Sequence, residues 1–169
     1  PSMLQAKQAK DITVEFYSLS KTFNMTGWRI GWACGNKDVI AALAQVKSNI
    51  DSGIFQAVQI AAVEALNMDW AHLAGLKKLY QNRRDILCQG LNDIGWEAKK
   101  PKATFYVWAK LPKGYSDSIK FAQLLLDKAD LVVTPGIGFG PSGKKYVRMA
   151  LTVDEERLKE AIARIKRTI

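Results

Sequence analysis

Histidine is almost missing from this chain: His72 is the only one, and cysteine occurs twice, as Cys34 and Cys88. With one histidine, lying on a helical stretch and read as structural, a histidine-based catalytic triad is disfavoured. The cysteines show no CxxC spacing and no histidine cluster near them, so they read as buried thiols of a reducing compartment, not as disulfide partners or metal ligands. No apolar run approaches the roughly 18 residues that span a bilayer, and no charged-then-apolar leader opens the chain. A cytoplasmic protein that engages no membrane is therefore expected. The first residue is Pro1, as in a processed or recombinant product. Internal repeats and low-complexity linkers are also missing. The 25 lysines and arginines exceed the 16 acids by nine, yet they are scattered and accompanied by no RNP, zinc or basic-zipper pattern. That balance reads as a basic exterior favouring anionic ligands, without nucleic acid as a partner.

What is present is an alternation of strands and helices. "ITVEFYSL" (Ile12 to Leu19) and "WRIGWACG" (Trp28 to Gly35) read as strands, rich in β-branched and aromatic residues. Asn36 is expected to cap a helix to about Ser48, with Val39, Ile40, Leu43 and Val46 at helical spacing. A break at "NIDSG" precedes a helix from Ile54 to about Leu66. Asp69 can cap a helix of about seven turns whose apolar stripe runs Leu73, Leu76, Leu79 or Tyr80, Leu87 and Leu91, ending near Gly95. After it, "ATFYVWAKL", "LVVTP" and "YVRMAL" read as strands and "DSIKFAQLLLDKA" as a helix. The last helix is expected to open with a capping box, Thr152 with Glu155. The class is α/β or α+β, with a domain boundary inside the long helix near Tyr80.

One stretch carries chemistry. In "SLSKTFNMTGWRIGW" Lys21 follows a strand directly, where α/β sheets place ligands. A lysine there is usually solvated; its functional use is as a nucleophile toward a carbonyl. Ser18 and Ser20 supply hydroxyls at the turn into it. If Trp28 to Gly35 is a strand, Arg29 shares a face with Gly31, Ala33 and Gly35. A guanidinium over a cleared face suits a phosphate, while a surface arginine on a half-exposed strand fits equally.

Together these features, in the order Ser-x-Ser-Lys followed eight residues after the lysine by Arg-x-Gly, resemble the cofactor-lysine signature of class I/II aminotransferases. These are pyridoxal-phosphate enzymes of fold type I. "SNIDSGIFQAVQIAAVEAL", "ATFYVWAKLP", "VVTPGIGFGPSG" and "YVRMALT" are similar to later blocks of that family in their usual order. The resemblance covers essentially the whole chain and points to the branch of LL-diaminopimelate, aspartate and related aminotransferases. It implies pyridoxal 5′-phosphate as cofactor, with Lys21 as the Schiff-base lysine that shuttles a proton between the substrate's α-carbon and the cofactor's C4′. It implies Ser18 and Arg29 at the phosphate and Arg148 at the substrate's α-carboxylate. Alternation along "YVRMAL" separately sets Arg148 opposite Val147 and Met149, although a lone strand arginine is more often simply exposed. Phe105 and Tyr106 fit either the small-domain side of the cleft or a core strand. "NIDSG" resembles the segment that approaches the partner subunit in family homodimers.

Family members are roughly twice this long. The glycine-rich phosphate loop, the ring stacked on the cofactor and the aspartate at the pyridine nitrogen normally precede the lysine block, where only twenty residues stand here. The resemblance therefore implies the C-terminal part of the large cofactor-binding domain over residues 1–80 and the small α+β domain over 81–169, of a parent enzyme exchanging amino groups between amino acids and 2-oxo acids. The chain alone is expected to be inactive. A lyase of the same fold, or a non-catalytic binding module that retains it, stays open beside the aminotransferase.

Overall fold

The computed structural model describes residues 2–169, apart from the side chain of Trp70. It separates into two compact units, Pro1–Ala74 and Gly75–Ile169, the division falling within the longest helix. No described helix is long and apolar enough to cross a membrane.

In the first unit β1 (Val14–Ser18) and β2 (Gly31–Gly35) pair antiparallel, Val14 opposite Gly35 and Ser18 opposite Gly31. Between them lie the short α1 (Leu19–Thr22) and a 3-10 turn, Thr26–Trp28. α2 (Lys37–Ser48) begins where expected, the Asn36 side chain accepting the N–H groups of Asp38 and Val39. α3 (Gln56–Asn67) follows. The core is small: Leu19, Met25, Ala62 and Ala65, with Phe23, Ile30 and Ala61 against them. The apolar stripe of α2 does not enter it. Val39, Leu43 and Val46 are exposed, so the helical spacing was legible but nothing among the described residues of this unit covers that face.

α4 (Trp70–Asp93) starts with Asp69 accepting the N–H of Ala71 and ends before Gly95, which takes the left-handed conformation at φ 83°. Of the alternatives for its stripe, Tyr80 packs on the core and Leu79 is exposed. The second unit holds β3 (Tyr106–Lys110), α5 (Ser118–Ala129), β4 (Thr134–Pro135), β5 (Tyr146–Ala150) and α6 (Glu155–Lys166). The sheet order is β3-β5-β4, both pairings antiparallel. Val107, Ala109, Val147 and Met149 face one side and pack with Leu87 and Leu91 of α4, Phe121 and Leu125 of α5, and Leu158 and Ile165 of α6. Buried Trp96 sets its ring edge-on to Phe121 and donates its indole N–H to the Lys110 carbonyl at 2.6 Å.

Two expectations are corrected. The strand read over "LVVTP" is only Thr134–Pro135. Leu131 folds back onto α5, its N–H reaching the Leu125 carbonyl past Asp130, and Pro135 has no N–H to extend a ladder. α6 is capped by Asp154, not Thr152: its carboxylate accepts the Arg157 N–H at 2.8 Å, where an acid is also favoured by the helix dipole.

The loop "PGIGFGPSG" is closed by backbone packed on backbone. A Cβ on Gly143 would stand 1.9 Å from the Gly136 carbonyl oxygen, and one on Gly136 would stand 2.3 Å from that of Gly143. Fully buried Ser118 accepts the Ile137 N–H at 3.3 Å and ties this loop to α5. Gly143→Ala is expected to destabilise by about 1–3 kcal/mol, since backbone and not a flexible side chain must move. Gly138→Ala, with open space at its Cβ, is the control that should leave the urea midpoint nearly unchanged.

Asp117 caps α5 by accepting the N–H groups of Lys120 and Ile119, and the Lys120 bond is the main reason its carboxyl lies below the usual value. A lowered folded-state pKa gives stability that is present above the unfolded value near 4 and lost as pH falls through the folded value. Asp117→Asn keeps an acceptor without a proton to gain. Its urea midpoint should fall less than the wild type's between about pH 5 and pH 2.

Candidate functional site

Ser18 ends β1 and caps α1. Its hydroxyl oxygen accepts the Ser20 N–H at 3.1 Å, which leaves its own proton to donate outward. The Leu19 N–H bonds the Ile30 carbonyl at 3.2 Å, closing the segment between the strands. Leu19 and Ser20 point inward, Ser20 at 7% exposure, and Lys21 on the next position is exposed. Burial of its two predecessors fixes the turn that presents Lys21.

Arg29 does not lie on a strand, contrary to the expectation for "WRIGWACG". β2 begins at Gly31, and Arg29 ends the 3-10 turn in the left-handed region, φ 52° and ψ 48°. Its Nη1 donates to the Thr26 carbonyl at 2.9 Å and to the Ser20 hydroxyl at 3.4 Å. The glycines beyond it answer a neighbouring backbone instead of a ligand. Cβ atoms on Gly31 and Gly35 would stand 2.2 and 2.0 Å from the Tyr17 and Thr13 carbonyl oxygens of the paired segment. Strand alternation is therefore the wrong reason for the arginine's direction; the turn and its hydrogen bonds set it.

Thr26 was not singled out in the sequence. Its hydroxyl donates to the Ser20 carbonyl at 3.1 Å while its carbonyl receives Arg29. The available signal was a hydroxyl residue three positions before the arginine. Through it Ser20 and Arg29 are tied together, with Ser18 bonded to the Ser20 N–H and Lys21 next along the chain. Among the described residues Nε and Nη2 of Arg29 have no acceptor, so donors remain at Arg29 and Ser18. That donor set, cationic and hydroxylic, fits a phosphate ester. On β1, Glu15 accepts the Tyr17 and Ser2 hydroxyls, which holds its carboxyl below the usual range, and Glu15 in turn raises Tyr17.

Arg148 belongs to the second unit, at the centre of β5 with Trp108 and Thr134 as its neighbours in register. It is set opposite buried Val147 and Met149, as alternation implied. Its guanidinium carbon lies over the Tyr106 ring at 4.2 Å and over the Phe139 ring at 4.7 Å. Four arginines of this chain are half-buried. Arg83, Arg84 and Arg164 donate to the Leu151, Pro101 and Ala129 carbonyls; Arg148 has no hydrogen-bond or ion-pair acceptor among the described residues. A partly desolvated cation with its donors unspent is suited to receive a carboxylate. Tyr106 opens β3 in ring contact with Phe105 just before it, and Phe105 also meets Tyr80. Cys88 is buried, which raises its thiol pKa, and Cys34 is half-buried; both are free thiols. Among the described residues no three His, Cys, Asp or Glu side chains gather as a metal site.

Comparison with known proteins gives a family and a length. The family model "Aminotransferase class I and II" matches residues 3–165. LL-diaminopimelate aminotransferase of Moorella thermoacetica is 55% identical over 169 residues, all of this chain and 43% of that protein. LL-diaminopimelate aminotransferase 2 of Trichormus variabilis is 55% identical over 166 residues, 98% of this chain and 42% of that protein. Among solved structures, apo-BacF of Bacillus subtilis superposes with a TM-score of 0.93 at 40% identity, covering 99% of this chain and 43% of that one. A probable N-succinyldiaminopimelate aminotransferase of Thermus thermophilus gives 0.91 at 36% identity, covering 100% and 45%. The chain thus spans less than half the length of the relatives it matches.

The left-handed backbone of Arg29 has a measurable consequence. Glycine adopts that conformation without a Cβ penalty, so Arg29→Gly should be more stable than Arg29→Ala by about 1 kcal/mol in urea unfolding. Equal stability of the two variants would remove the strain.

Proposed function

The chain belongs to the class I and II aminotransferases, a pyridoxal-phosphate-dependent family of fold type I, and from that premise we propose that it is the C-terminal portion of a longer transaminase. Residues of the first unit would complete the large cofactor-binding domain and those of the second would form the small domain. The parent enzyme would transfer an amino group between an amino acid and a 2-oxo acid, with LL-diaminopimelate the first donor to test and aspartate the next. The observation that carries this reading is the loop in which Thr26 ties Ser20 and Arg29 together beside Lys21.

Ser18 and Arg29 would hold the cofactor's phosphate, the arginine through its two unengaged nitrogens. Lys21 would bind the cofactor covalently and move the proton at the substrate's α-carbon. Arg148 would receive the substrate's α-carboxylate. Pyridoxal phosphate, when bound, supplies the electron sink that makes that proton removable. The aspartate and the stacking ring that complete such a sink in the family would stand in a segment preceding these 169 residues, which alone are inactive in this reading. The exposed apolar face of α2 supports burial against further chain. Homodimer formation is part of the proposal, with residues 49–53 toward the partner; Ile50 within that segment and Phe55 two residues after it are each 76% exposed. So is a cytoplasmic location.

Borohydride reduction of the full-length holoprotein, followed by peptide mapping, should leave the pyridoxyl group on Lys21. An adduct on Lys7 or Lys37 would overturn the assignment. In the same preparation an amino donor should yield a stable pyridoxamine form; release of an elimination product instead would make the parent a lyase, and failure to take up cofactor would make it a binding module.

A further inference from the structure

Resting on the reading of Arg148 as the carboxylate receptor, we propose that Phe139 and Tyr106 are its positioning residues, holding the guanidinium between aromatic faces so that its N–H fork stays presented to the substrate. The other half-buried arginines are fixed by carbonyl acceptors, which spend part of their donor capacity. Arg148 is fixed without spending any. Contact with a ring face orients a planar cation through the ring's quadrupole and leaves the N–H groups at its edge.

The rings are themselves held. Tyr106 lies on β3, two residues from Trp108 on the same face. Trp108 stacks on Tyr146 at 5.6 Å and 15° and meets Phe139 edge-on at 5.5 Å and 78°. Phe139 is 55% exposed, so its ring is held at the surface beside Arg148 and not in the core. Its backbone is set by the Gly136–Gly143 contact, by the Ser118 bond to Ile137 and by Gly140 at φ 121°. The glycine loop thus delivers one ring to Arg148 and β3 delivers the other.

The test uses the full-length holoenzyme with 2-oxoglutarate as the carboxylate probe. Phe139→Leu should raise KM roughly 3- to 30-fold, the range of a partly desolvated cation–π contact. Cofactor content should be retained and kcat changed by less than about twofold. Phe139→Tyr, which keeps the ring face, should restore KM. In an Arg148→Lys background Phe139→Leu should add less than about twofold, because a compact ammonium gains little from the planar stack. A KM unmoved by Phe139→Leu while Arg148→Ala raises it would overturn the positioning role and leave the carboxylate reading intact. An equal rise in both backgrounds would also overturn it, since Phe139 would then act independently of the guanidinium. If Arg148→Ala itself leaves KM unchanged, the carboxylate reading fails.

Discussion

Side-chain alternation along β5 is the constraint on which the second unit depends. One face of a three-stranded sheet is buried by three helices, so Val147 and Met149 must point into that core, and Arg148 between them must point away. A shift of one residue would bury the guanidinium among Leu91, Phe121 and Leu125, without an acceptor. The register is therefore fixed by the cost of the wrong one. The open face then gathers Tyr106, Trp108 and Tyr146 beside Arg148, because these share its parity along β3 and β5.

The first unit is organised differently. Among the described residues its buried cluster is four residues with three partly buried ones against them, little to position a site by packing. Hydrogen bonds position it instead: Ser18 accepts the Ser20 N–H, Thr26 donates to the Ser20 carbonyl and accepts from Arg29, and the Leu19 N–H donates to Ile30. A non-glycine residue in the left-handed region is sparsely populated, and Arg29 is kept there by two hydrogen bonds from its own guanidinium. Those bonds keep the guanidinium beside Ser20 instead of along the strand, and they offset the cost of the left-handed backbone. The exposed apolar stripe of α2 belongs to the same account, since a helix with an apolar stripe and no cover within its unit is built for contact beyond that unit.

One fold can host several chemistries, so activity follows from the sites and not from the fold alone. The two candidate sites differ in kind. One is a hydroxyl-and-guanidinium loop suited to a phosphate ester; the other is a cation in contact with two rings, suited to a carboxylate. Both leave arginine donors without internal acceptors among the described residues, which distinguishes them from the ion-paired arginines on the helices, Arg84 with Asp85 and Arg164 with Glu160.

The sequence by itself determined the elements with strong local chemistry. Asn36, Asp69 and Gly95 marked helix ends because capping is a matter of a few adjacent residues, and period-two alternation placed Arg148 opposite Val147 and Met149. The order Ser18, Lys21, Arg29 was legible because it is a local spacing. Tertiary structure decided what depends on residues far apart. That Gly31 and Gly35 meet the backbone of the paired segment, that Gly136 meets Gly143, and that Asp154 outcompetes Thr152 as a cap are contests settled by geometry. The setting of Arg148 is the clearest case: Tyr106 and Phe139 lie 33 residues apart in sequence. Only sheet pairing on one side and a glycine loop on the other bring both rings to one guanidinium, and no local pattern encodes a contact whose partners meet through the fold.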